Sequence, residues 1–299
     1  MSVAGPRLAV GVLGAGRVGS VLGAALQSAG HSVVAASGVS LASRRRAERL
    51  LPGVPLRPAD EVAAMADLVL VAVPDDDLVG LVSGLAATGT WRAGQIIVHT
   101  SGAHGLAALA PAAAVGVLPL ALHPVMTFTG RPEDLDRLRG AVFGVTALPD
   151  YRAVAETLVL EMGGDPVWVP DAARPLYHAA LSHAANHLVT LICDAVDLLG
   201  AAGVDAPARA LSPLVSAALD NALRLSDGAL TGPVARGDVD TVRVHRTTLE
   251  LRGLQVVESY LAMARRTAVR AEAAGQISAA QRAELAEILA PAGEEPSGA

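Results

Sequence analysis

The chain has 299 residues, enough for two domains of ordinary size. Hydrophobic residues make up 52% and aromatic residues only 2%, so the core must be built from Ala, Val and Leu, and the formal net charge of −6 argues against nucleic acid as the main partner. All 23 basic residues are arginines, which excludes any mechanism that needs a lysine base, a lysine Schiff base or a P-loop lysine.

The first predicted elements are a strand at residues 8–13, a glycine turn and a helix at residues 20–29. The turn contains Gly14, Gly16 and Gly19 in the spacing G-x-G-x-x-G, which in this context is typical of a dinucleotide-binding site. Gly14 would make the turn tight, Gly16 would let a pyrophosphate approach the backbone, and Gly19 would let helix and strand pack closely.

The two residues between the last glycines, Arg17 and Val18, open onto the helix N-terminus. We expect them to contact the cofactor there, because a helix N-terminus offers free N–H groups and a partial positive charge. An ordinary tight turn between strand and helix is the alternative.

The end of the second predicted strand, residues 31–36, indicates which dinucleotide fits. An NAD site usually has Asp or Glu there to bind the ribose 2′-hydroxyl, whereas this chain has Ser37 and no acid before Glu48. The following basic helix, residues 41–50, supplies hydroxyl and guanidinium groups that suit a 2′-phosphate. The candidates are Ser37, Ser43, Arg44 and Arg45. We therefore predict NADP(H) over NAD; the alternative is that the arginines only begin a solvated helix.

Three later strand ends also carry candidate residues. Strands are predicted at residues 67–73, 95–99 and 114–122, with a helix at 78–87 and further strands at 141–146 and 166–169. This alternation predicts an α/β Rossmann domain with a mostly parallel, doubly wound sheet, whose strand ends meet at one edge. The candidates at that edge are Val73, Pro74 and Asp75 beside the nicotinamide ribose, Ser101 beside the nicotinamide or substrate, and His123 as a catalytic group. Turn chemistry and a structural histidine are the alternatives.

From residue 171 onward the pattern predicts helices only. They lie at residues 172–199, 206–225, 239–274 and 278–289, and the tail at 291–299 is expected to be disordered. The predicted domains are therefore an NADP-binding domain at 1–170 and an all-α substrate and dimerisation domain at 171–290. Its apolar faces predict a homodimer.

Two observations bear on location. Residues 103–130 lack Asp, Glu and Arg over a membrane-spanning length, but three prolines interrupt them, so we expect a buried helix, a strand and a loop. The first strand begins too early for a signal peptide, and the single cysteine, Cys193, is expected to be a buried small residue. A cytoplasmic protein without a membrane segment is the expectation.

The first of the long helices carries a polar line. His178, Ser182 and Asn186 have the spacing i, i+4, i+8, so they share one face, and we interpret His178 as a general acid with two substrate-orienting partners. Satisfied polar groups at a helix contact are the alternative. The pair His183 and His187 lacks a third ligand, so no metal is expected.

The loop at residues 229–238 breaks the helical pattern at Gly232-Pro233. We expect Thr231 and Arg236 to hold a substrate carboxylate there. A helix-breaking loop with a salt bridge is the alternative.

Together these motifs resemble Rossmann-like proteins whose second domain is domain of unknown function 2520. The resemblance covers nearly the whole chain and extends to the broader 6-phosphogluconate-dehydrogenase-like superfamily, which includes ketopantoate reductases and pyrroline-5-carboxylate reductases. It rests on the glycine turn, Val73-Pro74-Asp75, His99-Thr100-Ser101-Gly102, His123-Pro124, the helix around His178 and the loop from Thr231 to Asp238.

The resemblance implies an NADPH-dependent reductase of a small 2-oxo acid, with ketopantoate as the first candidate. Ketopantoate reductases carry K-x-x-x-N on the first helix after the Rossmann domain; Asn186 matches the asparagine, but Ser182 stands in the place of the lysine acid. His178, one turn earlier, is the best replacement. An imino-acid reductase and a non-catalytic NADP(H)-binding sensor remain alternatives.

Overall fold

The computed structural model describes residues 7–291, so the predicted tail falls almost entirely outside the described residues. The chain divides into two compact units, Met1–Ala185 and Asn186–Ala299. This division falls inside a long helix, whereas the boundary predicted near residue 170 lies in the segment just before that helix begins.

The first unit is built on a seven-stranded sheet. The strands are β1 (Ala9–Leu13), β2 (Ser32–Ser37), β3 (Leu68–Val71), β4 (Ile96–His99), β5 (Leu118–Pro124), β6 (Val142–Ala147) and β7 (Asp165–Trp168). Their order is β2-β1-β3-β4-β5-β6-β7, and every neighbouring pair is parallel except β5 with β6. This confirms the predicted mostly parallel sheet and all seven predicted strands.

Helices cover both faces of this sheet. They are α1 (Arg17–Ser28), α2 (Leu41–Leu50), α3 (Ala59–Met65), α4 (Asp75–Ala87), α5 (Ala110–Ala113), α6 (Glu133–Leu138) and α7 (Arg152–Glu161). All four residues of β3 are buried because helices lie on each side, which is why the central strands read as continuous apolar runs. The helices α3, α6 and α7 are additions that the sequence analysis did not predict.

The residues from 174 onward are helical, as predicted. Helix α8 (Arg174–Ala201) crosses from the first unit into the second, and α9 (Pro207–Leu225), α10 (Val239–Leu251), α11 (Val257–Ala273) and α12 (Ala279–Ile288) follow. The single helix predicted at residues 239–274 is wrong, because the chain breaks between α10 and α11 where Gly253 adopts φ +61°. The core of this unit lies between α10, α11 and α12.

Helices α8 and α9 are unusually exposed for apolar helices. Arg174 is the only buried residue of α8, and α9 has none. The prediction that Cys193 is buried is therefore wrong for the single chain, since its part of α8 is uncovered.

One described segment, Asp171–Ala201, is long and apolar enough to cross a membrane by length and composition, with a mean hydropathy of 1.3. Residues 103–130, in contrast, contain the short helix α5 and the strand β5, in line with the expected helix, strand and loop.

Candidate active site

The glycine turn has the geometry that a diphosphate needs. Gly14 adopts φ +89°, and a Cβ there would lie 2.6 Å from the carbonyl oxygen of Ala72. A Cβ on Gly19 would overlap the carbonyl oxygen of Gly14. Around Gly16, in contrast, the nearest atom to an added Cβ is 4.0 Å away, so the space in front of this backbone is open.

Helix α1 begins directly behind this open space. Gly16 is its N-cap and makes no side-chain capping bond, and no acidic residue lies in its first turn. The first N–H groups of a helix have no partner inside it, so those at Arg17 and Val18 are available to an anion. Backbone shape and charge together fit a bound dinucleotide.

The turn after β2 lacks a carboxylate, and the start of α2 that follows it carries two exposed arginines. The Ser37 hydroxyl accepts a hydrogen bond from the backbone N–H of Gly14 at 3.2 Å. The Nε of Arg44 donates to the carbonyl of Gly38 at 3.2 Å, which holds the guanidinium over the turn, and Arg45 is also exposed. These residues fit a 2′-phosphate better than a free ribose 2′-hydroxyl.

Ser43 is less accessible than its neighbours. It is buried, and its hydroxyl donates to the Ser40 carbonyl at 2.7 Å within the N-terminal cap of α2. The Ser43 hydroxyl therefore serves mainly to stabilise the N-terminal cap of α2.

Nine of the predicted site residues line one hollow of about 420 Å³ at the carboxyl ends of β1, β3, β4 and β5. The hollow is lined by Gly16, Arg17, Val18, Ala72, Val73, Pro74, Asp75, Thr100, Ser101, Gly102, His123 and His178. The lining thus includes both the glycine turn and two imidazoles, His123 and His178. All of these residues belong to the first unit.

Ser101 lies at this hollow but is engaged within the protein. It is 8% exposed, and its hydroxyl accepts a hydrogen bond from the backbone N–H of His104 at 3.1 Å. Its carbonyl oxygen accepts from Arg174 at 2.8 Å. The side chain thus shapes the loop after β4.

His123, Tyr177 and His178 form an aromatic and imidazole cluster. The Nδ1 of His123 and the hydroxyl of Tyr177 are hydrogen-bonded at 2.8 Å, and the ring centroids of His123 and His178 are 6.0 Å apart. A Cβ on Gly102 would lie 2.6 Å from the His178 ring and 3.0 Å from Nε2 of His123, so glycine is required for both rings to face the hollow.

The electrostatic surroundings keep His123 neutral. Burial, followed by the electrostatic effects of His178 and Arg174, lowers the pKa of His123 to about 4, against a smaller opposing effect of Asp75. At neutral pH this imidazole is therefore a hydrogen-bonding group without charge.

The sequence analysis missed Arg174, which lies behind the cluster. Its side chain is fully buried and donates to four oxygens: Thr146 Oγ1 at 2.8 Å and the carbonyls of Ser101, Ala121 and Gly144 at 2.8, 2.9 and 2.9 Å. Within the described contacts these oxygens replace water around the charge. An arginine at the start of an otherwise apolar helix was the available signal.

Tyr177 directly precedes His178 in the sequence but was not selected as a site residue. Burial raises the pKa of its hydroxyl, so it is protonated at neutral pH. Its position on His123 depends on a strand 54 residues earlier in the chain, which no local pattern reveals.

The remaining predicted residues lie elsewhere. Ser182 follows on α8 in the first unit, Asn186 begins the second, and neither lines the hollow. Thr231 and Arg236 line a hollow of about 440 Å³ in the second unit, together with Leu230, Ala235 and Gln276. Among the described residues, no group of three or more potential ligands is arranged to hold a metal ion.

Comparison with known families and structures places this geometry in context. The model of the Rossmann-like domain matches residues 1–124, and that of domain of unknown function 2520 matches residues 141–267. A search of curated protein sequences finds no match.

Solved structures share the fold over most of the chain. A Bacteroides fragilis protein assigned as an NADP oxidoreductase is 19% identical, with a TM-score of 0.71, over 89% of this chain and 99% of that one. An imine reductase from a Pseudomonas species is 21% identical, with a TM-score of 0.64, over 95% and 100%. A reductive aminase from Aspergillus terreus, solved with NADPH and ethyl levulinate, is 17% identical, with a TM-score of 0.64, over 94% and 99%. The chain thus contains a Rossmann-like domain at residues 1–124, followed at residues 141–267 by domain of unknown function 2520.

Proposed function

We propose that this protein is an NADP(H)-dependent oxidoreductase that reduces a C=O or C=N bond of a small molecule, with a 2-oxo acid as the first candidate substrate. The observation that carries the proposal is the hollow that both the glycine turn and two imidazoles line. Cofactor-binding backbone and proton-handling side chains lie around one space of about 420 Å³. The names of the comparison proteins support the same class of chemistry.

The residues around the hollow indicate which steps of the reaction the protein performs and which the cofactor would perform. When bound, NADPH supplies the hydride, and the protein supplies position, protons and electrostatic stabilisation. The backbone at Gly16 and the N-terminus of α1 would hold the diphosphate, and Arg44 and Arg45 would hold the 2′-phosphate. Val73, Pro74 and Asp75 would lie beside the nicotinamide ribose.

The two imidazoles take different roles. His178 donates a proton to the oxygen or nitrogen of the substrate as the carbon is reduced. His123, which is uncharged, donates a hydrogen bond that polarises the same bond; a neutral imidazole can act in this way beside a carbonyl. Ser182, one turn after His178 on the same helix of the first unit, is the candidate for orienting the substrate.

A second candidate substrate, a cyclic imine or imino acid, is favoured by a specific observation. Asp75 is the only carboxylate among the residues that line the hollow. A carboxylate favours a protonated, positively charged C=N group and disfavours an anion. Asp75 would therefore stabilise the protonated form of a cyclic imine bound in the hollow.

The experiment is a turnover panel. NADPH oxidation is followed at constant pH with 2-oxo acids, ketopantoate among them, and with cyclic imines, using wild type and the His178→Ala variant. Turnover that depends on His178 supports the proposal and identifies the substrate class. Tight NADPH binding without turnover on any panel member would instead support the sensor alternative.

A further inference from the structure

We propose that Tyr177 is a positioning residue, which donates its hydroxyl proton in a hydrogen bond to Nδ1 of His123 and so holds Nε2–H of that imidazole toward the hollow. This inference rests on the proposed function only for its catalytic consequence. The arrangement of the two side chains is a property of the protein that can be tested without substrate.

The first step is the geometry of the pair. The Tyr177 hydroxyl and His123 Nδ1 are 2.8 Å apart, and the two rings are nearly perpendicular, at 89°. The Tyr177 hydroxyl proton has no other acceptor among the hydrogen bonds of the described residues, so we assign this O–H as the donor to Nδ1. A neutral imidazole that accepts at Nδ1 carries its proton on Nε2, so a hydrogen bond in this direction selects one tautomer.

The other ring nitrogen of His123, Nε2, lies at the hollow. A Cβ on Gly102 would be 3.0 Å from Nε2 of His123, and both residues line the hollow. Within the described residues Nε2 has no hydrogen-bonding partner, yet it is not among the buried polar atoms that lack one. It therefore faces the open space, where a substrate oxygen or nitrogen would accept its proton in a hydrogen bond.

The third step is that the tautomer matters at neutral pH. The charged or titratable groups facing His123 are Tyr177, His178 and Arg174 from α8 and Asp75 from α4. Their combined effect with burial is a neutral ring. A protonated ring would donate from both nitrogens, and Tyr177 would then have no selective effect.

The fourth step is what holds Tyr177. Arg174, three residues earlier on α8, is anchored to β5, β6 and the loop after β4, so the first turn of α8 is attached to the sheet. Gly144 of β6 leaves the space that the Tyr177 hydroxyl occupies, because a Cβ on Gly144 would overlap that oxygen. The Tyr177 hydroxyl is thus held in one position beside His123.

The test uses full-length protein labelled with ¹⁵N-histidine, in which imidazole ¹⁵N shifts distinguish the protonated nitrogen from the unprotonated one. The variant is Tyr177→Phe, and the His123 resonances are assigned by their loss in His123→Gln. The chain offers a matched control in Tyr260→Phe, because the Tyr260 hydroxyl bonds Nδ1 of His245 at 2.9 Å outside the first unit.

We expect wild type to show His123 protonated on Nε2 and unprotonated on Nδ1. Tyr177→Phe should move the His123 shifts toward a mixture of tautomers, while Tyr260→Phe leaves them unchanged. With a substrate from the turnover panel, Tyr177→Phe should lower kcat about threefold to tenfold, with little change in KM or in NADPH affinity, because one neutral hydrogen bond is lost.

Wild-type protein with its proton on Nδ1 of His123, or unchanged His123 shifts in Tyr177→Phe, would overturn the inference. If Tyr177→Phe does not fold, Gly144→Ala keeps the tyrosine but displaces its hydroxyl, and an unchanged His123 there would overturn it equally. Absence of turnover on every substrate would contradict the proposed function but not the tautomer, so the two failures are distinguishable.

Discussion

At the scale of single residues, His178 is the side chain on which the proposed chemistry depends most. A general acid typically contributes about 100-fold to 10,000-fold in rate. We expect His178→Ala to lower kcat by about that factor, while NADPH binding changes little, since the ring belongs to α8 and not to the glycine turn that would hold the diphosphate. Single-turnover NADPH oxidation measures this.

The matched controls are His183→Ala and His187→Ala, on the same helix but outside the hollow. Each of these two variants should lower kcat much less than His178→Ala does. Near-normal turnover in His178→Ala would transfer the role of proton donor to His123.

Gly16 tests the cofactor site directly. Gly16→Asp would place a carboxylate in the open space before α1, where it would exclude and repel a diphosphate. We expect NADPH binding to be lost and the circular dichroism spectrum to stay unchanged.

The control for this change is Gly84→Asp on α4, where an added Cβ also meets no atom within 4 Å. It should bind NADPH normally in a calorimetric titration. Retained binding in Gly16→Asp would mean that the glycine turn serves the fold alone.

The buried side chain of His99 should make the folding stability of the protein depend on pH. Burial, followed by the charge of Arg174, lowers its pKa from 6.5 to about 3, and its Nδ1 is buried without a hydrogen-bonding partner. Below pH 6.5 the unfolded chain therefore binds a proton that the folded protein does not, so stability falls as the pH falls toward 3. We expect His99→Asn to lose less stability than wild type between neutral and acidic pH.

Urea unfolding at about pH 7 and about pH 4.5 measures the difference, and the exposed His245→Asn provides the control. Some dependence on pH should remain in His99→Asn, because the pKa of His123 is lowered in the same direction. An identical dependence in wild type and His99→Asn would contradict the assignment.

At the scale of elements, the turn between β2 and α2 decides between the two dinucleotides. The turn contains no carboxylate, and the start of α2 presents Arg44 and Arg45 beside it. We expect NADPH to bind more tightly than NADH; a hundredfold preference needs only about 2.7 kcal/mol, which one or two charge-assisted contacts can supply.

Replacing both arginines by alanine should narrow this preference by about tenfold or more and leave NADH affinity nearly unchanged. Arg139→Ala, whose side chain is 80% exposed, controls for loss of surface charge. Equal affinities of the wild-type protein for NADPH and NADH would contradict the prediction that this turn and the start of α2 select the 2′-phosphate.

At the scale of the whole molecule, we predict a homodimer formed through the helical domain. Leu214, Leu219 and Leu223 of α9 are 68%, 46% and 80% exposed, and α9 has no buried residue. Apolar helices of this kind require a cover, and a second copy supplies one with the same composition. Light scattering at micromolar concentration should report twice the chain mass.

Leu219→Glu combined with Leu223→Glu should shift the equilibrium toward monomer. Leu160→Glu, at a 56% exposed position of α7 in the first unit, should not. A strict monomer in wild type would contradict the prediction.

The local sequence was sufficient for the sheet, the glycine turn and most helices. Each of these is determined by residues adjacent in the chain: apolar runs for β1 and β3, the G-x-G-x-x-G spacing for the turn, and caps such as Ser40 for α2. Because parallel strands end at a common edge, the same reasoning also predicted that Asp75, Ser101 and His123 would lie close together.

Only the tertiary structure decided which side chains meet across long separations. The bond between Tyr177 and His123, the insertion of Arg174 among four oxygens of distant segments, and the fit of Gly102 against two imidazoles depend on how α8 is placed on the sheet. The same holds for Cys193, where periodicity identified an apolar helix but not what covers it. The physical reason is that a local pattern specifies which face of an element avoids water, whereas the partner of that face is chosen by the packing of the whole chain.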